Sequence, residues 1–303
     1  MNKSLPQQPI LENLELLAKE VVEGFIIGLH KSPFHGFSVE FAEHRLYNPG
    51  DAIRHIDWKV YGRTDKTFVK RYEEETNLRC CIVLDVSSSM HFPQDDNKYS
   101  KLQYSCLASA CIMQLLKRQL DAAALATFDD EIQYFSACRS ALSHYRMLTQ
   151  QLEQALRYNA TGKRTNAADA LHMVAEKMHK RSLIVVFSDM MDDAEHIESL
   201  FSALQHLRYN NHEVVLFHMV DGTHELSFEF ENRPYEFVDM ETGEKLKLQP
   251  NQVKDQYKAR MAEFQQLIEE RCHQYRVERV PVDLSQPVEQ VLHTFLLKRN
   301  KLL

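Results

Sequence analysis

The chain has 303 residues, and its 36 lysines and arginines against 43 aspartates and glutamates give a net charge of −7. This acidic balance excludes a general electrostatic attraction to nucleic acid or to an anionic membrane surface. The eight glycines are widely spaced, so neither the dinucleotide-binding fingerprint nor the P-loop can be written with them. With 44% hydrophobic residues, the chain is expected to fold throughout its length.

Residues 1–78 are predicted to form an N-terminal helix and a small β subdomain. Apolar residues recur at helical spacing over residues 11–29, and strand-like segments follow at residues 37–46 and 67–74. Trp58 is the only tryptophan, and we interpret it as a core anchor of the β subdomain.

From residue 79 onward, short β-branched runs alternate with longer segments of helical spacing, which is typical of helices packed on a mostly parallel sheet. The predicted elements in chain order are a strand at 80–84, a helix at 98–120, strands at 122–128 and 131–135, helices at 141–158 and 166–179, a strand at 182–187, a helix at 194–209, a strand at 213–220, a helix at 252–275, a strand at 276–282 and a helix at 287–297. A hairpin insertion is expected at about residues 222–250. Residues 79–303 are therefore predicted to form one α/β domain with five parallel strands and one reversed strand.

Oxygen-bearing side chains occur where several of these elements begin or end. Asp85, Ser87 and Ser89 follow the first strand of the α/β domain, Thr165 precedes a helix, and Asp189 follows a later strand. Ligands of an open parallel sheet bind beyond the carboxyl ends of its strands, so these five side chains are expected to converge. Carboxylate and hydroxyl oxygens are ligands that suit Mg²⁺ or Mn²⁺. The alternative is turn and helix-cap chemistry, which aspartate and serine also favour.

The order of these five residues on an α/β alternation resembles the metal-ion-dependent adhesion site of von Willebrand factor A domains. The upstream stretch is similar to the signature of the DUF58 family through Tyr47, Pro49, Gly50, Asp51, Arg54, Ile56, Asp57, Trp58, Arg63, Val69, Lys70, Glu73 and Glu75. The resemblance covers nearly the whole chain. It implies a bacterial protein with a von Willebrand A-like domain.

The same resemblance implies a function in binding rather than in catalysis. It suggests a divalent cation, Mg²⁺ or Mn²⁺, held by Asp85, Ser87, Ser89, Thr165 and Asp189, with Asp189 acting through water. Such an ion would bridge to an acidic residue of a protein partner. Genes of this family often accompany MoxR-type AAA+ ATPases, so an ATPase of that type is the expected partner of an adaptor or assembly factor.

Three residues beside the expected site depart from the pattern of related domains. The loop before Thr165 contains Lys163 and Arg164 where many such domains are glycine-rich, and Met190 stands where a glycine often follows the second aspartate. We expect Lys163, Arg164 and Met190 to contact the partner.

An enzymatic alternative is a magnesium-dependent, phosphatase-like hydrolase with Asp85 as the nucleophile. Phosphatases of the haloacid-dehalogenase type use a second aspartate two positions further on as the general acid, and this chain has Ser87 there. We therefore predict that the protein is not an enzyme.

Basic and aromatic residues interleave over residues 54–71, as they do on some nucleic-acid-binding surfaces. Three glutamates follow at residues 73–75, so we expect ion pairs within the β subdomain and no nucleic-acid binding. The polar N-terminus lacks the pattern of a signal peptide, and no apolar run is long enough for membrane insertion. A cytoplasmic location is expected.

Overall fold

The computed structural model of the chain describes residues 13–26, 40–47, 58–73, 78–95, 98–158, 167–191 and 194–301. The chain divides into two compact units. The larger unit joins residues 1–33 to residues 79–303, and the smaller unit comprises residues 34–78.

Helices and strands are numbered here in chain order. They are α1 (Leu14–Ile26), β1 (Glu40–Leu46), α2 (Trp58–Thr64), β2 (Phe68–Glu73), β3 (Arg79–Asp85), α3 (Lys101–Arg118), β4 (Ala122–Phe128), β5 (Ile132–Phe135), α4 (Leu142–Arg157), α5 (Ala167–Lys177), β6 (Leu183–Ser188), α6 (Ala194–Tyr209), β7 (Glu213–Val220), β8 (Tyr235–Val238), β9 (Lys245–Leu248), α7 (Pro250–Gln274), β10 (Glu278–Asp283) and α8 (Val288–Lys301). A short 3₁₀ turn at Ser88–His91 follows β3, and a π turn at Gly222–Leu226 follows β7.

The small unit contains an antiparallel ribbon of β1 and β2, which confirms the two strands predicted there. Helix α2 has no buried residue, and Trp58 at its start is 62% exposed. The Trp58 ring meets the Tyr61 ring edge-on, with 6.1 Å between their centroids. The prediction that Trp58 anchors a core is therefore wrong, because the short helix that carries it buries none of its side chains.

The large unit is built on a six-stranded sheet with the strand order β10-β7-β6-β3-β4-β5. Five strands are parallel, and β5 runs antiparallel to β4, which confirms the predicted α/β class with its one reversed strand. The chain starts inside the sheet at β3, adds β4 and β5 on one side, and then crosses to add β6, β7 and β10 on the other. The topological switch point therefore lies between β3 and β6, which is where open α/β sheets bind ligands.

The central strands are buried on both faces, because helices cover the sheet on each side. Every residue of β3 after Arg79 and every residue of β6 is buried, so these strands read as unbroken apolar runs. One face packs against α5, α6 and the end of α7 through residues that include Leu171, Phe201 and Ile268. On the opposite face, the Phe217 ring of β7 meets the Phe295 ring of α8 at a centroid distance of 5.2 Å.

Helix α1 packs on the large unit, where it contacts α3, α8 and α4. Leu14 and Val22 are completely buried in this contact, and Glu15 accepts a hydrogen bond from Lys117 of α3 at 3.1 Å. The sequence-based division at residue 78 instead groups this helix with the β subdomain. The difference has a physical cause, since a helix of 13 residues is stabilised mainly by burying its apolar face, and α3 and α8 provide the surface that buries it.

The segment between β7 and α7 forms the hairpin of β8 and β9 together with an aromatic cluster. The rings of Phe230 and Phe237 contact each other and also those of Phe228 and Tyr235. Phe228 contacts Tyr257 of α7 with 4.4 Å between the centroids. We call residues 222–248 the insertion. The cluster attaches the insertion to the large unit through α7.

Among the described helices, none combines the length and the apolar character that are needed to span a bilayer.

Replacing Leu14 by alanine should lower the free energy of unfolding of the large unit by about 2–5 kcal/mol, the usual cost of truncating a fully buried leucine. The control is Leu16→Ala in the same helix, since Leu16 is 50% exposed and its truncation should change stability by less than about 0.5 kcal/mol. Urea unfolding followed by far-ultraviolet circular dichroism measures both. Equal effects of the two variants would show that α1 is not packed as described.

Candidate functional site

The switch point of the sheet brings together most of the side chains that the sequence singles out. Asp85 is the last residue of β3, and Ser188 and Asp189 stand at the end of the neighbouring parallel strand β6. Ser87 and Ser89 belong to the loop that leaves β3. Thr165, with Lys163 and Arg164, lies outside the described residues.

The carboxylate of Asp85 is fully buried and accepts a hydrogen bond on each oxygen. The backbone N–H of Ser87 donates to Oδ1 at 3.0 Å, and the hydroxyl of Ser188 donates to Oδ2 at 2.7 Å. The Ser188 oxygen in turn accepts from the backbone N–H of Met190 at 3.0 Å. These bonds hold the Asp85 carboxylate in one orientation between the two strands.

The hydroxyl oxygens of Ser87 and Ser89 are 3.1 Å apart, so the loop presents two neutral oxygen donors side by side. Ser87 precedes the 3₁₀ turn, yet its side chain makes no capping hydrogen bond. The next helix, α3, is capped by Ser100 and Gln103, which form a reciprocal capping box. Helix capping therefore does not account for the serines of the Asp85 loop.

Among the described residues, no cationic side chain compensates the charge of Asp85. Burial, together with the nearby Asp189 carboxylate, raises the pKa of Asp85 to about 7, although the hydrogen bonds from Ser87 and Ser188 act in the opposite direction. A raised pKa of this origin means that the ionised carboxylate would be stabilised by added positive charge.

Asp189 is compensated by Lys101, a residue that the sequence analysis does not identify. The Lys101 ammonium donates a hydrogen bond to Oδ2 of Asp189 at 2.8 Å and also pairs with Glu225 of the insertion. Burial alone would lower the pKa of Lys101, but the charges of Asp189 and Glu225 outweigh it and place that pKa above its ordinary value. The position of Lys101 directly after the Ser100 cap is a sequence signal for its ion pair with Asp189. A lysine at the start of a helix is unfavourable in the helix dipole unless an anion lies nearby.

The backbone of Asp189 is fixed by a neutral histidine. His218 Nε2 donates to the carbonyl oxygen of Asp189 at 2.9 Å, while Nδ1 accepts from the Arg279 guanidinium at 2.9 Å. Burial, assisted by the positive charge of Arg279, lowers the pKa of His218 to about 4, so the ring is neutral near pH 7.

Met190 occupies a backbone conformation that explains why related domains often have glycine there. Its φ angle is +56°, in the left-handed region that non-glycine residues rarely adopt. The side chain is 1% exposed and packs in the core with Val186 and Phe201. A partner contact at Met190 was expected from the sequence, but this side chain points into the core and offers no surface.

The donor set at the switch point fits a weakly held, partly hydrated divalent cation. Within the described part of the chain, no three His, Cys, Asp or Glu side chains lie close enough together to hold a metal ion. The Asp85 loop instead offers one carboxylate and the two hydroxyls of Ser87 and Ser89, all of them hard oxygen donors. Mg²⁺ is commonly held by one or two carboxylates and completes its octahedron with water, so these residues match its chemistry.

Replacing Ser188 by alanine should lower the free energy of unfolding by about 1–3 kcal/mol, because the buried Asp85 carboxylate loses the donor on Oδ2. Thermal or urea unfolding measures the loss. Ser202→Ala is the control, since Ser202 is exposed on α6 and should change stability by less than about 0.5 kcal/mol. An unchanged stability of Ser188→Ala would contradict the described bond.

Part of the chain is similar in sequence to mycobacterial proteins. Uncharacterized protein Rv1480 of Mycobacterium tuberculosis and uncharacterized protein Mb1516 of Mycobacterium bovis are each 37% identical over 82 residues, which cover 27% of this chain and 26% of each relative. The match thus spans about a quarter of the length of these relatives.

Two solved structures are among those to which the chain is similar. The conserved hypothetical protein BatB from Bacteroides thetaiotaomicron is 15% identical, with a TM-score of 0.46 over 74% of this chain and 99% of that one. The SpRpn10 VWA domain is 12% identical, with a TM-score of 0.40 over 72% of this chain and 94% of that one.

A family model gives the assignment. The model described as "Protein of unknown function DUF58" matches residues 43–267, which is well over half of the chain and includes β3, β6 and the loops that carry Asp85 and Asp189. The chain therefore belongs to the DUF58 family.

Proposed function

We propose that the protein is a non-catalytic adaptor or assembly factor that binds an acidic protein partner through a divalent cation at the Asp85 loop. The observation that carries this proposal is the buried Asp85 carboxylate, which has no counter-charge among the described residues and lies in the same short loop as the paired hydroxyls of Ser87 and Ser89. Adaptor roles suit the family and the fold. The resemblance to a metal-ion-dependent adhesion site and the oxygen donors of the Asp85 loop support the cation dependence.

Each residue of the proposed site has a distinct role. Asp85 supplies the anionic charge, and Ser87 and Ser89 supply neutral oxygens; Thr165 and Asp189 are proposed as further ligands, the latter through water. Mg²⁺ or Mn²⁺ bound there would supply a centre of positive charge that can accept a carboxylate in place of water. Because Asp85 is the only uncompensated anion of this set among the described residues, such an ion would retain affinity for an acidic group of a partner.

A MoxR-type AAA+ ATPase is the proposed partner, on the basis of the family resemblance. Lys163 and Arg164, which lie outside the described residues, are proposed to add attraction for an anionic partner surface. We propose that this takes place in the bacterial cytoplasm, without nucleic-acid binding or membrane insertion.

The phosphatase alternative is disfavoured by the surroundings of Asp85. The position of the usual general acid is occupied by Ser87, which cannot act as one near neutral pH.

Calorimetric titration with MgCl₂ or MnCl₂ should give a heat of binding for the wild type that is lost in Asp85→Ala, because Asp85 supplies the anionic ligand. Asp255→Ala is the matched control, since Asp255 is exposed on α7 and is not one of the proposed ligands, and its heat should equal that of the wild type. Equal heats for the wild type and Asp85→Ala would remove the cation site.

Binding to a purified MoxR-type AAA+ ATPase from the same organism should weaken at least about tenfold in Asp85→Ala, as expected when an interaction at the centre of an interface is lost. Biolayer interferometry with the adaptor immobilised measures the affinity. A variant is preferable to a chelator here, because the nucleotide chemistry of an ATPase also depends on Mg²⁺. Wild-type affinity of Asp85→Ala for the ATPase would contradict a role of the site in this contact.

A further inference from the structure

Lys101 is a buried cation directly beside the proposed cation site. Its side chain is 1% exposed, and its ammonium lies between the carboxylates of Asp189, which is fully buried, and Glu225, which is 12% exposed. An ammonium is buried to this extent only where anions and hydrogen bonds compensate the loss of water. Lys101 therefore already gives Asp189 the positive charge that a metal ion would otherwise provide.

The other end of this arrangement is held by the insertion. Glu225 lies in the π turn at the start of the insertion, and its second carboxylate oxygen accepts a hydrogen bond from the backbone N–H of Asp221 at 2.8 Å. The Asp221 side chain in turn accepts from the N–H of Thr223 at 2.9 Å. These bonds fix Glu225 beside the Lys101 ammonium, so that Asp189 and Glu225 share its positive charge.

We propose that Lys101 competes with the divalent cation for Asp189 and thereby sets the cation affinity of the Asp85 loop. Glu225 weakens this competition, because it shares the Lys101 ammonium with Asp189. This inference rests on the cation site proposed above and names the residues that regulate it. The positive charge of Lys101 opposes a second cation nearby, and its hydrogen bond occupies Oδ2, one of the two Asp189 oxygens that could serve an ion or its water.

The proposal predicts opposite effects for two single variants. Removing the ammonium in Lys101→Met frees Asp189 and removes the repulsion, so the cation should bind more tightly. Removing the charge of Glu225 in Glu225→Gln leaves Asp189 as the only anion paired with Lys101 among the described residues, so the cation should bind more weakly. Coupling between neighbouring sites typically changes affinity by roughly 5- to 150-fold.

The experiment is calorimetric titration of the 303-residue chain with MgCl₂. Compared with the wild type, we expect the dissociation constant to fall at least about fivefold in Lys101→Met and to rise at least about fivefold in Glu225→Gln. Lys117→Met is the matched control, because Lys117 is a partly exposed lysine of the same helix that pairs with Glu15, and its removal should leave the constant unchanged. Lys101→Arg keeps the charge and should not tighten binding.

A double-mutant cycle separates competition for Asp189 from general repulsion. If Lys101 acts mainly by occupying Asp189, the tightening caused by Lys101→Met should be largely lost in an Asp189→Asn background. A melting temperature measured with and without MgCl₂ provides a second readout, since Mg²⁺ should stabilise Lys101→Met more than the wild type at the same concentration.

The outcomes distinguish this inference from the function on which it rests. If Mg²⁺ binding depends on Asp85 but its dissociation constant is unchanged in both Lys101→Met and Glu225→Gln, Lys101 does not compete with the cation. The proposed cation site would then still stand. Absence of Mg²⁺ binding in the wild type and in every variant would overturn both. If Lys101→Met does not fold, Glu225→Gln decides alone, because tighter or unchanged binding in that variant contradicts the proposal.

Discussion

Two carboxylates, those of Asp85 and Asp189, are completely buried at the ends of adjacent parallel strands, and the chemistry of this region depends on how each charge is compensated. Asp85 is stabilised by a backbone N–H and a serine hydroxyl, both neutral donors. Asp189 is stabilised by the full charge of a lysine. Because neutral donors offset the loss of water less completely than an opposite charge, Asp85 is the position at which added positive charge is most favourable.

Sheet topology creates this juxtaposition. From the ends of β3 and β6 the chain continues to opposite sides of the sheet, to β4 on one side and to β7 on the other. In an open parallel sheet, such a divergence opens a crevice between the strand ends. The rows of apolar residues in β3 and β6 keep water away from the strand ends. Parallel pairing of Leu84 with Phe187 then sets Asp85 beside Ser188, which is why the serine reaches the carboxylate.

The residues that balance the charge of Asp189 come from elements outside the sheet. Lys101 opens α3, where the helix dipole opposes a cation, and two carboxylates reverse that preference. Glu225 comes from the insertion, whose aromatic cluster is held against α7 by the contact between Phe228 and Tyr257. The insertion therefore contributes a charged residue, Glu225, to the ion pairs at the switch point of the sheet.

Local patterns predicted the elements that depend on neighbouring residues only. The sequence predicts the central strands from their apolar runs, because strands buried on both faces consist of consecutive apolar residues. It predicts the helices from their spacing and the Asp85-Val86-Ser87-Ser88-Ser89 loop from its position directly after a strand. Trp58 was misread, because an aromatic residue shows its size in the sequence but not whether a neighbouring surface covers it. Met190 was likewise expected at a surface and lies in the core.

The amino-acid order therefore specified the class of fold and the oxygen donors of one loop, since both follow from short-range periodicity and position. Only the folded chain decided the charge balance of the site. Lys101 and Asp189 are 88 positions apart, and Lys101 and Glu225 are 124 apart, so their contacts arise from the packing of α3 and the insertion around the strand ends. Electrostatic compensation acts through space, and no local pattern records which distant charge arrives beside a buried carboxylate.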